Sequence, residues 1–115
     1  MEPIGQLGWM QIDCREPRRL AAFWAAVLGL KVDSAFGEPP HYVGLPKLGP
    51  DSPYVNFQGV PEPKTIKNRL HFDIRVDDVE QTTTQIEALG GRRLPLEDFQ
   101  EYGFRWRMMA DPEGK

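Results

Sequence analysis

Residues 7–14, Leu-Gly-Trp-Met-Gln-Ile-Asp-Cys, alternate: Met10, Ile12 and Cys14 fall on one side, Trp9, Gln11 and Asp13 on the other. That period of two predicts a strand with one apolar face. From Pro17 to Leu28 the period lengthens. Leu20, Phe23, Trp24, Val27 and Leu28 stand at i, i+3, i+4, i+7 and i+8, the apolar stripe of a helix. Pro17 suits the first turn, where its missing N–H removes no hydrogen bond, and Gly29 is placed to stop the helix. Residues 30–36, 41–45 and 54–58 read as strands, the last alternating Val55 and Phe57 against Tyr54, Asn56 and Gln58. Gly37-Glu38-Pro39-Pro40 reads as a turn, and 46–53, with three prolines, as a loop.

The second half repeats the order. Residues 61–67 form a stiff connector with two prolines. A strand is predicted over 69–76, with Leu70, Phe72, Ile74 and Val76 opposite His71, Asp73 and Arg75. A helix over 79–89 follows, N-capped by Asp78 with Gln81 at the capping-box position. Thr82, Thr83 and Thr84 weaken its propensity, and Gly90-Gly91 ends it. Short strands are expected at 92–96 and 103–109, separated by an acidic turn, and Asp111-Pro112-Glu113-Gly114-Lys115 reads as a closing turn.

A shift of 62 lays Trp9 on His71, Gln11 on Asp73, Ile12 on Ile74, Cys14 on Val76, Glu16 on Asp78 and Trp24 on Ile86. The implied fold class is α+β: two β-α-β-β-β modules whose helices cover the apolar side of the sheet. The opposite face carries Trp9, Gln11, Asp13, Tyr54, Asn56, Gln58, His71, Asp73 and Arg75. A solvated sheet surface is one reading of that face. A face curved into a ligand pocket is the other, and Trp9 argues for it, because a large aromatic on a wet face usually has something to pack against.

Length and composition narrow the function. The 115 residues suit one domain, with module one at about 7–60, a linker at about 61–67 and module two at about 68–115. With 14 basic and 17 acidic residues the net charge is −3, which gives no basic face for nucleic acid. No apolar run reaches the length of a membrane helix, and the N-terminus lacks the pattern of a signal peptide. The single cysteine, Cys14, forms no internal disulfide and points to a reducing, cytoplasmic setting. It falls on the helix-packed face, where a buried thiol is inert.

Three segments carry a family resemblance: 12–30 (Ile-Asp-Cys-Arg-Glu-Pro through Val-Leu-Gly-Leu), 60–78 (Val-Pro-Glu-Pro through Arg-Val-Asp-Asp) and 109–114 (Met-Ala-Asp-Pro-Glu-Gly). In combination they resemble a glyoxalase-like domain of the vicinal oxygen chelate superfamily, with glyoxalase I, bleomycin-resistance proteins and extradiol dioxygenases. The resemblance implies paired β-α-β-β-β modules in a curved mixed sheet, helices outside, around a cavity. Homodimers are common in that superfamily. Its metal-dependent members place ligands on the first and last strands of each module. His71 matches such a position, but Trp9 occupies its counterpart, and Asn56 or Gln58 stands where a glutamate is usual. The family's final strand follows the Asp-Pro-Glu-Gly turn, and the sequence ends at Lys115, so the last strand of module two is expected to be absent.

His71 is thus the one candidate metal ligand. A divalent metal needs about three or four protein donors, so the expectation is a small-molecule binding protein without a complete metal site. Its ligand would meet Trp9, Gln11, Asn56, Gln58, His71, Asp73 and Trp106. The alternative is an enzyme of the same superfamily, a glyoxalase-type lyase or isomerase or an extradiol-type dioxygenase, with a divalent metal held partly by His71. A dimerising module that closes its polar face with a partner chain is a third reading. Asp73 and Arg75 suit either a polar substrate or an exposed ion pair. Asp13 and Asp73 are the only acids offered for a paired-carboxylate mechanism. His41, Lys64, Lys67 and Arg69 read as solvated surface, and Glu101 and Tyr102 as part of a loop.

Overall fold

The computed structural model describes residues 2–37 and 39–115, so Glu38 of the expected turn lies outside the described residues. The chain forms two compact units, Met1–Pro63 and Lys64–Lys115, divided within the predicted connector.

In the first unit the order is β1 (Trp9–Cys14), α1 (Pro17–Leu28), β2 (Ser34–Phe36), β3 (Tyr42–Leu45) and β4 (Tyr54–Gly59). The sheet runs β1-β4-β3-β2, with β1 parallel to β4 and the other pairs antiparallel. The helix occupies its predicted span. Pro17 opens it, and Gly29 closes it at φ 70° while donating its N–H to the Ala25 carbonyl. That left-handed conformation favours glycine, because a side chain there crowds the following carbonyl. The apolar stripe packs against β3 and β4. Leu20, Ala21, Phe23 and Ala25 of the helix are buried with Cys14, Val43, Leu45, Val55 and Phe57 of the sheet. Trp24 is half-buried, edge-on to Phe23 with ring centroids 5.4 Å apart. The expected strand at 30–36 is trimmed to its last three residues.

The second unit departs further from its pattern. Helix α2 (Val79–Ala88) is capped as expected, the Asp78 side chain accepting from the Gln81 N–H at 2.9 Å. The predicted strand at 69–76 is not formed: these residues have no ladder partner. Leu70, Ile74 and Val76 of its intended apolar face are 72%, 39% and 37% exposed. Alternation specifies which face a strand buries, but a strand exists only where another supplies backbone partners. Strand β4 does this for β1, and among the described residues nothing does it for 69–76.

The segment predicted as one strand at 103–109 divides in two. Strands β6 (Phe99–Glu101) and β7 (Phe104–Trp106) form a hairpin, while β8 (Met109–Ala110) pairs with β5 (Arg92–Arg93), shorter than the expected 92–96. The hairpin takes up part of the expected acidic turn. Its two connecting residues, Tyr102 and Gly103, have φ of 52° and 80°, the backbone of a tight primed turn that matches strand twist. At the end of the unit the predicted turn forms around buried Asp111, whose Oδ1 accepts from the N–H groups of Glu113 and Lys115, both at 2.9 Å. No helix among the described residues is long and apolar enough to cross a membrane.

Candidate functional site

Strand alternation places the polar residues of β1 and β4 together. The parallel register sets Trp9 beside Tyr54, Gln11 beside Asn56 and Asp13 beside Gln58. The antiparallel pairs extend the central row, with Asn56 beside Gly44 and Gly44 beside Ser34. Gln11, Asn56, Gly44 and Ser34 therefore form one row across four strands, on the face away from α1. A Cβ at Gly44 would stand 2.6 Å from Asn56 Oδ1 and 2.8 Å from Ser34 Oγ. The missing side chain is what lets those two oxygens converge over the backbone. At one end of the face Trp9 and Tyr54 stack, with centroids 5.9 Å apart and planes 20° from parallel. Trp9 remains 59% exposed. Lys47, from the loop after β3, holds its Nζ 5.2 Å from the centre of the Tyr54 ring, within cation–π range. Cys14 lies on the helix side as expected, buried, its thiol directed at the Gln58 carbonyl at 3.5 Å. Ring stacking and uncharged amide donors and acceptors can hold a flat polar molecule without chemistry at the protein.

The second unit arranges its expected residues differently. His71 and Asp73 face each other at 3.7 Å, with side chains 61% and 93% exposed. Asp73 thus stands beside His71, where the sequence offered Arg75 as its ion-pair partner. Trp106 stacks on Phe99 across the hairpin, centroids 5.4 Å apart and planes 12° from parallel. His41 is exposed, as read from the sequence. Among the described residues no three or more His, Cys, Asp or Glu side chains converge as metal ligands. His71 and Asp73 supply one imidazole and one neighbouring carboxylate, fewer than the about three or four protein donors a bound zinc takes.

The most highly connected polar cluster in the second unit is one the sequence did not suggest. Arg107, following β7, has a side chain only 5% exposed. Its Nε and Nη2 donate to the two Asp98 oxygens at 2.8 and 2.9 Å. Nη1 donates to Glu80 Oε2 at 3.1 Å and to Thr83 Oγ1 at 2.9 Å, and Nη2 also donates to Glu80 Oε1 at 2.6 Å. All five guanidinium N–H groups are thereby used. Thr83, a weak helix former, is buried here, and its hydroxyl donates to the Val79 carbonyl at 2.7 Å. Arg105 adds a second guanidinium, 2.8 Å from Asp98 and 3.3 Å from Glu80. Hydrogen bonds from Arg107 hold the Asp98 and Glu80 carboxyls below their usual range, and Asp98 and Glu80 in turn raise Arg107. With no donor left over, Arg107 clamps the hairpin to α2 and offers nothing to a ligand. Arg107 stands 9 residues from Asp98 and 27 from Glu80, separations at which periodicity carries no signal.

Residues 9–115 match the family model described as a glyoxalase-like domain. Three solved structures share the fold. A glyoxalase/bleomycin resistance protein/dioxygenase family enzyme from Burkholderia phytofirmans PsJN matches at TM-score 0.68 and 21% identity, over 96% of this chain and 93% of that one. Oxidase ChaP-H2 matches at 0.67 and 20%, over 97% and 89%. A hypothetical protein from S. aureus matches at 0.66 and 20%, over 98% and 90%. No curated protein matches the sequence significantly.

Proposed function

The chain belongs to the glyoxalase-like domain family, and on that premise we propose that it binds a small organic molecule on the open face of its first unit. Stacking and hydrogen bonding, rather than chelation, hold the ligand. The observation that carries this reading is the exposed Trp9–Tyr54 stack at the end of the amide row built by Gln11, Asn56 and Gln58. Aromatic stacking is worth about 0.5–1.5 kcal/mol beyond area burial, so losing it weakens a flat ligand by about two- to tenfold. Calorimetric titration of the protein and its Trp9→Ala and Gly44→Ala variants with planar aromatic probes tests this. Both variants are expected to bind more weakly. Affinities unchanged in both would overturn the reading.

The metal-dependent lyase, isomerase or dioxygenase reading rests on the proximity of His71 and Asp73. Its test is metal content after incubation with zinc, nickel, manganese or iron. Near-stoichiometric metal that disappears in His71→Ala would replace the binding proposal with the enzymatic one.

A further inference from the structure

We propose that the gap over Gly44 seats the hydrogen-bond donor of the ligand, and that this ligand is a neutral arene carrying an N–H₂ group, such as a primary aryl carboxamide. This deepens the binding reading above and rests on it. Gly44 stands in β3 between Asn56 of β4 and Ser34 of β2. A Cβ there would lie 2.6 Å from Asn56 Oδ1 and 2.8 Å from Ser34 Oγ, so the two oxygens lean into space that only glycine leaves. Among the described residues neither oxygen has a hydrogen-bond partner, and neither is sealed from solvent. Two acceptors thus converge where the protein supplies no donor.

That arrangement sets the polarity of what it takes. An amide oxygen only accepts, and a hydroxyl oxygen keeps lone pairs for a second donor. The group that answers both carries two N–H bonds on one nitrogen. Both acceptors are uncharged, which favours a neutral N–H₂ over an ammonium, because a cation drawn out of water needs an opposite charge beside it. Aromatic side chains flank the gap along the strands in both directions. The row of Trp9 and Tyr54 lies two residues to one side, and the exposed pair Tyr42 and Phe36 lies two residues to the other. Two residues of strand span about 7 Å, a distance that a fused two-ring arene bridges from a donor seated at Gly44.

The test titrates three probes of one ring system by calorimetry: naphthamide with two N–H donors, N-methylnaphthamide with one, and methyl naphthoate, which keeps the shape and carbonyl of the second with none. A net hydrogen bond changes affinity about two- to tenfold, so naphthamide is expected to bind most tightly and the ester most weakly, with about that factor at each step. Naphthylmethylammonium should bind no more tightly than the ester, and binding tighter than naphthamide would overturn the neutral class. Ser34→Ala removes one acceptor and should reduce the preference for naphthamide. Asn56→Asp keeps an acceptor while removing the amide donors, so the preference should persist or grow. The atoms that Gly44→Ala meets are the ends of two side chains; its methyl turns them aside, and the three probes should converge in affinity. Ser34→Ala and Asn56→Asp carry the test if the Gly44 variant does not fold. Equal affinity for the three probes, each weakened by Trp9→Ala, would overturn the donor seat and leave the face as a ligand site. A preference for naphthamide that is unchanged in Ser34→Ala and Gly44→Ala, or lost in Asn56→Asp, would overturn the acceptor pair. Absence of binding by every probe, or binding indifferent to both Trp9→Ala and Gly44→Ala, would overturn the face as a ligand site and the inference with it.

Discussion

Replacing Phe57 by alanine should open the first unit enough for its lone thiol to report it. Phe57 is fully buried in the middle strand β4, between Ile12 on β1 and Val43 on β3, on the side covered by α1. Removing a buried phenylalanine costs about 3–5 kcal/mol, part transfer and part cavity. A unit of the length of Met1–Pro63 has a total stability of about 3–9 kcal/mol, so the loss is a large fraction of the whole. Cys14 ends β1 at 1% exposure, and a disulfide reagent reaches it only when the unit opens. Where closing outpaces labelling, the rate follows the opening equilibrium. Each 1.4 kcal/mol is tenfold, which makes the expected acceleration about 150-fold or more for Phe57→Ala. Phe57→Leu, which leaves a smaller cavity, should fall between, and it keeps the measurement informative if the alanine variant does not fold. Phe104→Ala, on the exposed hairpin, should change the rate by no more than about twofold, as surface substitutions usually do. Labelling of Phe57→Ala within a few-fold of the parent would refute the placement of Phe57 and Cys14 in one core.

Three further outcomes follow from the same geometry. The Asp98 and Glu80 carboxyls titrate lower when folded than when unfolded. Their contribution is fully present above the ordinary carboxylate range near about pH 4 and is lost as pH falls through the depressed folded values. Melting temperature should therefore drop steeply below about pH 4, and Asp98→Asn should melt lower at neutral pH with a shallower acid slope; identical slopes would remove the clamp from the account. Arg107→Lys keeps the charge but replaces a five-donor fork by three donors on a point. It should lower the melting temperature and weaken the near-ultraviolet circular dichroism of the Phe99–Trp106 stack, and an unchanged spectrum would count against the clamp. Gly29→Ala places a side chain in a left-handed helix cap with nothing within 4 Å to clash, so chemical denaturation should show a loss of about 1–2 kcal/mol from backbone conformation alone.

Local pattern sufficed wherever an element is stabilised by its own periodicity and by neighbours that are themselves regular. Helix α1 begins and ends where Pro17, the apolar stripe and Gly29 place it. Strands β1 and β4 keep the alternation that sets Trp9, Gln11, Asn56 and Gln58 on one face. The family, too, was legible in the segments 12–30, 60–78 and 109–114. What tertiary structure decided is everything that needs a partner distant in the chain. The alternating segment 69–76 formed no strand, because alternation does not supply backbone hydrogen bonds. The Tyr102-Gly103 turn lacks the usual Asn-Gly or Asp-Gly signature, so its hairpin was invisible to composition. Nothing in the alternation distinguishes Gly44; the register alone puts Asn56 and Ser34 on either side of it. No pattern along the chain singled out Arg107, Asp98 or Glu80, and Thr83 read only as a poor helix former, yet the fold closes all four into one network. Periodicity is a property of neighbours along the chain, while hydrogen-bond partners and ring stacks are set by distances in space that only the folded chain creates.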